Sequence, residues 1–219
     1  AMNMQGHALM GFTASNATTS PGVATSHRLA SDASGTMTAP TVRQAGTGTF
    51  ALFGTPSRWG DYSNTVVDPR NGMTIWTFQE YVRANNSWAV RAIELKAPAP
   101  TLSSISPLTI TQGLSNPFTL TGTGLFDPGA GYPDRLAVSV SGSGVTVSNL
   151  NWVSPTSVTM TLTATAGATT GARTVTLTNP DGQTATTTVT VNPQALVSGT
   201  ITFEDFQPTT KPQVTVQIR

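Results

Sequence analysis

The sequence feature that most constrains this fold is a repeated alternation of threonine or serine with apolar residues. In residues 158–164, every second side chain is apolar and each one between is a threonine. Successive side chains of a β-strand point to opposite faces, so this spacing gives a strand one apolar face and one hydroxyl face. Glycine, proline, asparagine and aspartate bound such runs, as is typical of β-sandwiches and barrels. We therefore expect an all-β fold.

Composition and periodicity favour the same fold class. Threonine accounts for 40 of the 219 residues, and its β-branched side chain suits the solvent face of a strand. The best helical candidate, residues 79–95, has later apolar residues two or three positions apart. That spacing is closer to a strand than to a helix. The sequence thus predicts strands there as well.

Charge and cysteine content exclude several classes of protein. Charged residues make up 10% of the chain, and the net charge is +1. The sequence contains no run of lysine or arginine, so it does not suggest a nucleic-acid surface. No apolar stretch is long enough for a membrane span, and the absence of cysteine excludes disulfides and thiolate metal sites. Many bacterial surface proteins share this composition, so we expect a secreted or cell-surface location and no cofactor. Residues 1–12 lack a signal-peptide pattern, so the signal is expected upstream or already removed.

Proline-rich and turn-rich segments divide the chain into three parts. Residues 96–100 read Lys-Ala-Pro-Ala-Pro, and closely spaced prolines stiffen a linker. Three of the four tryptophans precede this segment, whereas runs of Thr, Ser and Val follow it. A second boundary falls near Pro193. We expect modules at residues 1–97 and 98–193 and a tail at 194–219.

The middle module contains about seven alternating runs in about 95 residues, which is typical of a two-sheet sandwich. Three segments carry a family resemblance: Ile105-Ser-Pro107, Leu120-Thr-Gly-Thr-Gly-Leu-Phe126, and Gly171-Ala-Arg-Thr-Val-Thr-Leu-Thr-Asn-Pro-Asp-Gly182. Residues 98–193 resemble the IPT/TIG family of immunoglobulin-like domains. The resemblance implies a binding, spacing or self-association role and no catalytic residue.

The first module carries a second resemblance, based on the order Asp68, Gly72 and Trp76 within an aromatic-rich segment. This pattern resembles the terminal blades of a bacterial secreted, sialidase-like β-propeller, with an earlier blade over residues 9–35. The resemblance implies about two blades of a ring that needs four to eight. Two such sheets would expose long edges. We therefore expect neighbouring subunits or the rest of a longer chain to cover them.

The tail has an alternating strand pattern at Val214, Val216 and Ile218, after an earlier run over residues 196–206. It resembles the opening hairpin of a further β-sandwich. A lone hairpin is marginally stable in water. Our hypothesis is that this strand completes a sheet of a neighbouring subunit and joins copies into a filament.

No catalytic motif is present, so we expect no enzyme activity and no catalytic residue. His7 and His27 lack metal-ligand spacing. Asp61, Asp68 and Glu80 are close in sequence and suggest either a calcium site or a glycosidase-like pair of carboxylates. The alternative, which we favour, is that Asp68 organises the turn formed by the Pro, Asn and Gly residues after it.

Aromatic residues in the first module offer a candidate ligand surface. Trp59, Trp76, Tyr81 and Trp88 could form a platform for a sugar. The alternative is that these rings fill a core, as large aromatic side chains usually do. The core interpretation is favoured.

The sequence therefore predicts a non-catalytic extracellular or cell-surface structural or adhesive protein. Its subunits are expected to join each other through strand sharing, or the chain is expected to belong to a longer protein. Two alternatives remain open: an ancillary C-terminal region of a larger secreted enzyme that acts on glycans, and a carbohydrate-binding module. Expected partners are proteins and, in the second alternative, glycans.

Overall fold

The computed structural model describes residues 1–51 and 58–195. Within these two ranges the chain forms fourteen β-strands in four sheets, and they contain no helix that could cross a membrane. The expected all-β fold is confirmed. The predicted tail strand with Val214, Val216 and Ile218 lies outside the described residues.

Six strands form the first module. They are β1 (Ala8–Asn16), β2 (Thr19–Arg28), β3 (Thr41–Gln44), β4 (Asn64–Val67), β5 (Ile75–Ala84) and β6 (Ser87–Leu95). They pair antiparallel in two sheets with the orders β1-β2-β3 and β4-β5-β6. Strands β1 and β2 lie against β5, so the two sheets face each other. The strands predicted over residues 79–95 are confirmed, because β5 and β6 form a hairpin there.

The sheet architecture does not support the propeller resemblance. A propeller blade is a single four-stranded sheet, and blades are arranged around a central channel. The described residues of the first module instead form two three-stranded sheets packed face to face. The coarser prediction of a β-sheet module before the sandwich is confirmed. The order of Asp68, Gly72 and Trp76 marks a turn between β4 and β5 rather than a blade.

Strand β5 shows how the two sheets of the first module meet. Ile75, Thr77 and Gln79 are buried on the face towards β1, whereas Phe78 on the opposite face is 37% exposed. Gly11 in β1 lies so close that an added Cβ would be 2.0 Å from Thr77 Oγ1. The glycine therefore lets β1 approach β5, and polar side chains occupy the space between the sheets.

Eight strands form the second module. They are β7 (Thr101–Ser106), β8 (Thr109–Thr111), β9 (Ser115–Thr123), β10 (Ala137–Val140), β11 (Val145–Ser154), β12 (Ser157–Ala164), β13 (Gly171–Thr178) and β14 (Thr184–Asn192). The sheet orders are β10-β13-β14-β8 and β11-β12-β9-β7. Strand β8 pairs parallel to β14, and the other pairs are antiparallel. The two sheets contact each other through β7 and β14 and through β10 and β11, which is the expected sandwich.

The core of the second module follows the alternation in its sequence. In β12 each apolar residue from Val158 to Ala164 is buried, and each threonine between them is partly exposed. The same rule on the neighbouring strands produces one continuous apolar cluster. Its buried members are Ile105, Ile110, Phe118, Leu120, Leu125, Leu136, Val158, Met160, Leu162, Ala164, Ala168, Val175, Leu177, Val189 and Val191.

Candidate functional site

Asp68 organises the turn between β4 and β5 with both carboxylate oxygens. Its Oδ1 accepts a hydrogen bond from the Arg70 amide at 2.9 Å, and its Oδ2 accepts one from Trp76 Nε1 at 3.1 Å. Its backbone carbonyl accepts a bond from the Gly72 amide at 2.9 Å. These bonds match the local side-chain turn that aspartate favours. The geometry therefore suits a turn-forming role for this residue.

Asp61, the other candidate for calcium, lies in a different place. Its carboxylate pairs with Arg58 Nε at 2.6 Å, and it lines a cavity that Asp68 does not reach. Within residues 1–51 and 58–195, no group of three or more His, Asp and Glu side chains has the arrangement of a metal site. The structure thus does not bring the two predicted carboxylates together.

The four predicted aromatic residues separate into two groups. Trp76 lies on the outer face of β5, where its ring is stacked with that of Phe78 at a centroid distance of 6.5 Å. Tyr81 is half-buried further along the same strand. Trp59 and Trp88 instead line a cavity of about 400 Å³ that neither Trp76 nor Tyr81 lines. A single platform of Trp59, Trp76 and Tyr81 is therefore not formed.

Two aromatic pairs and three charged groups surround the cavity at Trp59, which we call the aromatic cavity. Its lining residues are Phe50, Arg58, Trp59, Asp61, Tyr62, Glu80 and Trp88. Phe50 and Trp59 meet edge to face, with centroids 5.2 Å apart and planes at 72°. Tyr62 and Trp88 are stacked, with centroids 5.1 Å apart and planes at 14°.

Hydrogen bonds hold the cavity against both sheets of the first module. Trp59 Nε1 donates to Thr13 Oγ1 on β1 at 3.1 Å. The Gly60 amide donates to Glu80 Oε2 on β5 at 2.9 Å. Sequence reasoning missed Phe50, because it lies in a segment without alternation or a motif and the ring that it contacts, Trp59, comes later in the chain. No local signal in the sequence could have identified it.

The two histidines line a second cavity, of about 330 Å³, at the side of the first module that faces the linker. His7 Nδ1 accepts a hydrogen bond from the Ala30 amide at 3.0 Å. Burial lowers the pKa of His7 below its ordinary value of 6.5, and the nearby Asp32 carboxylate opposes that shift in part. His27 contacts the Thr38 hydroxyl at 3.2 Å. Both histidines are thus engaged by the local fold.

A set of contacts, which we call the junction, joins the two modules. Arg70 Nε and Nη2 each donate to the Asp134 carboxylate at 3.0 Å, and the Asp134 amide donates to the Arg70 carbonyl at 3.1 Å. Arg70 lies in the turn between β4 and β5, and Asp134 lies in the loop before β10. The Asp134 carboxylate raises the pKa of Arg70 through this hydrogen-bonded pairing. The pairing is bidentate, which fixes direction as well as distance.

The junction also includes the proline-rich linker between β6 and β7. Lys96 Nζ donates to the Asp181 carbonyl at 2.9 Å, and Gln183 Nε2 donates to the Ala97 carbonyl at 2.9 Å. Both second-module partners belong to the turn between β13 and β14, where Asp181 is buried. The linker is therefore bonded to the sandwich rather than free in solvent.

Comparison with known families assigns the second module. Residues 100–204 match the model of the IPT/TIG domain. This segment of the chain is an IPT/TIG domain, and the resemblance seen in the sequence is confirmed. The match covers the strands of the IPT/TIG sandwich described above. A comparison with curated proteins found no match.

Comparison with solved structures found similarity to surface-layer proteins. The crystal structure of the S-layer protein rSbsC(31-844) is similar at 14% identity, with a TM-score of 0.29, over 88% of this chain and 36% of that one. Domains 1–6 of surface layer protein SbsC give 14% identity and a TM-score of 0.28 over the same shares. SbsC domains 4 and 5 give 16% identity and a TM-score of 0.26, over 78% of this chain and 90% of that one. The chain spans little more than a third of the length of the first two.

Proposed function

We propose that this chain is a non-catalytic structural or adhesive part of a secreted or cell-surface protein, in which the first module and the IPT/TIG domain act as one rigid spacer. The IPT/TIG family supports a binding or spacing role. The cysteine-free, threonine-rich composition supports an extracellular location. The observation that carries the spacer proposal is the junction.

The junction supports rigidity because it connects the modules at two separate places. One contact alone would leave the modules free to rotate about it. Here the Arg70–Asp134 pair and the bonds of Lys96 and Ala97 to the β13–β14 turn act together. Exposed ion pairs contribute little to stability, about 0–1 kcal/mol. Their role in this proposal is to fix orientation.

Distance measurement between paired spin labels tests the rigid spacer. Because the chain has no cysteine, Ala17→Cys and Ser148→Cys, both at exposed positions, provide one label on each module. We expect a single narrow distance distribution in the labelled chain. Replacing both Arg70 and Gln183 with alanine should broaden it severalfold, because both connections are then weakened.

Arg91→Ala, at an exposed arginine of β6, is the matched control and should leave the distribution narrow. A broad distribution in the labelled chain without further substitution would overturn the proposal. An unchanged width in the Arg70→Ala/Gln183→Ala variant would show that the junction does not set the orientation.

The second part of the proposal concerns assembly. A strand with the alternation that the sequence predicts at Val214, Val216 and Ile218 would add to an exposed sheet edge of another copy through backbone hydrogen bonds. The edges offered by the IPT/TIG sandwich in the described chain are β7, β8, β10 and β11. Removal of residues 207–219 should convert oligomers or filaments to monomers in light scattering and electron microscopy. A monomeric full chain at all concentrations would contradict this part and leave the rigid spacer unaffected.

A further inference from the structure

We infer that the aromatic cavity is a binding site for an uncharged carbohydrate, which would give the proposed spacer a ligand of its own. The inference goes beyond the spacer function and does not depend on it. It rests on the exposed aromatic faces, on one carboxylate at the cavity with an oxygen that no donor among the described residues occupies, and on the mixture of hydrogen-bonding groups around the cavity.

The aromatic faces are the first observation. Tyr62 and Trp88 are stacked in parallel, yet they are 57% and 45% exposed. Contact of a large aromatic ring with water is unfavourable, so such rings are usually buried or used for binding. A flat exposed ring suits the C–H face of a pyranose, which is apolar and of similar width. Phe50 and Trp59 supply a second aromatic wall to the same cavity.

Glu80 is the second observation. Its side chain lines the cavity although the residue is only 6% exposed. Oε2 accepts the hydrogen bond from the Gly60 amide, and no donor among the described residues bonds to Oε1. An ionised carboxylate can accept about four hydrogen bonds, so Oε1 keeps acceptor capacity for a ligand. A hydroxyl of a bound sugar would supply a donor.

The mixture of polar groups decides between ligand classes. The Arg58–Asp61 pair at the cavity adds a donor group and an acceptor group to Glu80. A sugar hydroxyl both donates and accepts, so it can use all three side chains. An organic cation would also be attracted to aromatic rings and carboxylates, but Arg58 already neutralises Asp61, so Glu80 alone among the described lining residues would remain to balance its charge. The volume of about 400 Å³ lies in the range of small-ligand sites, about 300–1,000 Å³, and accommodates one or two sugar rings.

The test is calorimetric titration of the full chain with a defined panel of probes. The panel contains the hexasaccharides of cellulose, chitin, xylan, mannan and laminarin, and choline as the cation probe. We expect at least one oligosaccharide to bind with a dissociation constant in the micromolar to millimolar range. The affinity should fall about tenfold or more in Trp88→Ala and in Glu80→Gln, because each removes one of the contacts described above.

Matched controls separate the cavity from the rest of the sheet. Phe78→Ala removes an exposed aromatic ring of the same sheet outside the cavity, and Glu94→Gln removes a partly exposed carboxylate of β6. Neither should change the affinity more than twofold. Tyr62→Ala provides a second aromatic variant at a more exposed position, and thermal unfolding of every variant checks that it is folded.

Three results would overturn the inference. They are the absence of binding to every oligosaccharide in the panel, binding that Trp88→Ala, Tyr62→Ala and Glu80→Gln leave unchanged, and binding of choline alone. The last result would assign the cavity to an organic cation instead. None of these results bears on the distance distribution that tests the rigid spacer.

Discussion

The two modules bury different kinds of side chain. In the IPT/TIG domain the interior is one apolar cluster. In the first module the buried polar residues outnumber the buried apolar ones among the described residues. The apolar residues are Leu9, Val23, Ala24, Met73, Ile75 and Val82, and the polar residues are Asn3, Thr25, Ser26, Asn71, Thr74, Thr77, Gln79 and Glu80.

The polar interior of the first module is held together by specific hydrogen bonds. Gln79 Nε2 donates to Thr77 Oγ1 at 2.9 Å, and Ser63 Oγ donates to Gln79 Oε1 at 2.7 Å. The hydroxyls of Thr65 and Thr77 lie 2.9 Å apart. An apolar core is destabilised most by loss of side-chain volume, whereas a polar network is destabilised by loss of a hydrogen-bonding partner. The comparison therefore predicts different weak points in the two modules.

The largest effect is expected in the apolar core. Phe118→Ala removes a fully buried ring of the IPT/TIG domain and leaves a cavity, which should lower its free energy of unfolding by about 4 kcal/mol. Amide hydrogen exchange, resolved by segment, measures this loss separately for each module. Leu108→Ala, at a residue that is 66% exposed, is the control and should have little effect. A loss below about 1 kcal/mol for Phe118→Ala would contradict the description of this core.

An intermediate effect is expected in the polar network. Gln79→Leu keeps the approximate size of the side chain but removes the acceptor of the Ser63 hydroxyl and one of the hydrogen-bonding partners of the Thr77 hydroxyl. We expect a loss of about 2 kcal/mol in the first module alone, measured by the same exchange experiment. Gln44→Leu, at the more exposed β3, is the control. If Gln79→Leu stabilised the first module, its interior would not depend on polar side chains. The contrast with the apolar core of the IPT/TIG domain would then be wrong.

A somewhat smaller loss of stability, which a second substitution should partly restore, is expected where β1 approaches β5. Gly11→Ala places a methyl group against Thr77 Oγ1, so it should cost about 1–2 kcal/mol through overpacking. Adding Thr77→Ala removes the clashing atom and should recover part of that loss. In the second module the Cβ of a Gly122→Ala variant would meet the Thr101 backbone carbonyl at 1.9 Å, where no side-chain change can relieve it. Recovery of stability in the Gly11→Ala/Thr77→Ala variant would support a contact between side chains in the first module, in contrast to the backbone contact at Gly122. If the losses of Gly11→Ala and Thr77→Ala were strictly additive, this contrast between the modules would be wrong.

The smallest effect concerns pH. The pKa of His7 is lower in the folded chain than its ordinary 6.5, chiefly because of burial, so the unfolded chain binds the proton more readily. The first module should therefore lose stability as the pH falls below 6.5. In the IPT/TIG domain, hydrogen bonding from Arg135 lowers the pKa of Asp127 below 3.8. The contribution of Asp127 to the stability of the domain is therefore present above pH 3.8 and is lost only at more acidic pH.

Thermal unfolding between pH 7 and pH 5, followed separately for each module, measures this difference. His7→Gln should reduce the acid sensitivity of the first module and leave the IPT/TIG domain unchanged. Equal sensitivity in the unmodified chain and in His7→Gln would show that another group is responsible.

The same contrast explains what the sequence could predict. The alternation of apolar residues with threonine correctly predicted which face of β12 is buried, because the interior of that module is apolar. On β5 the same prediction fails, because Thr77 and Gln79 are buried while Phe78 is exposed and Trp76 is half-exposed. A polar interior reverses the usual signal, so a sequence pattern cannot indicate which face is inside.

The candidate site was predictable only in part for a related reason. Trp59 and Asp61 are close in sequence, and both line the aromatic cavity. Trp76 was grouped with them by proximity, but the strand places it on the outer face beside Phe78. Phe50 reaches the cavity from an earlier segment without regular strand spacing. Side chains that meet through tertiary packing rather than through a motif leave no trace in a single sequence.

The parallel pairing of β8 with β14 has a mechanical consequence. Residues 109–111 run in the same direction as residues 190–192 beside them, and flanking bonds join Thr190 to Leu108 and Gln112 to Asn192. A pulling force that enters at the start of β8 and leaves at the end of β14 acts along both strands in opposite directions. Under such shear the hydrogen bonds carry the load together, whereas strands peeled apart would lose them one at a time. This small patch of backbone is therefore expected to resist a force applied in that direction.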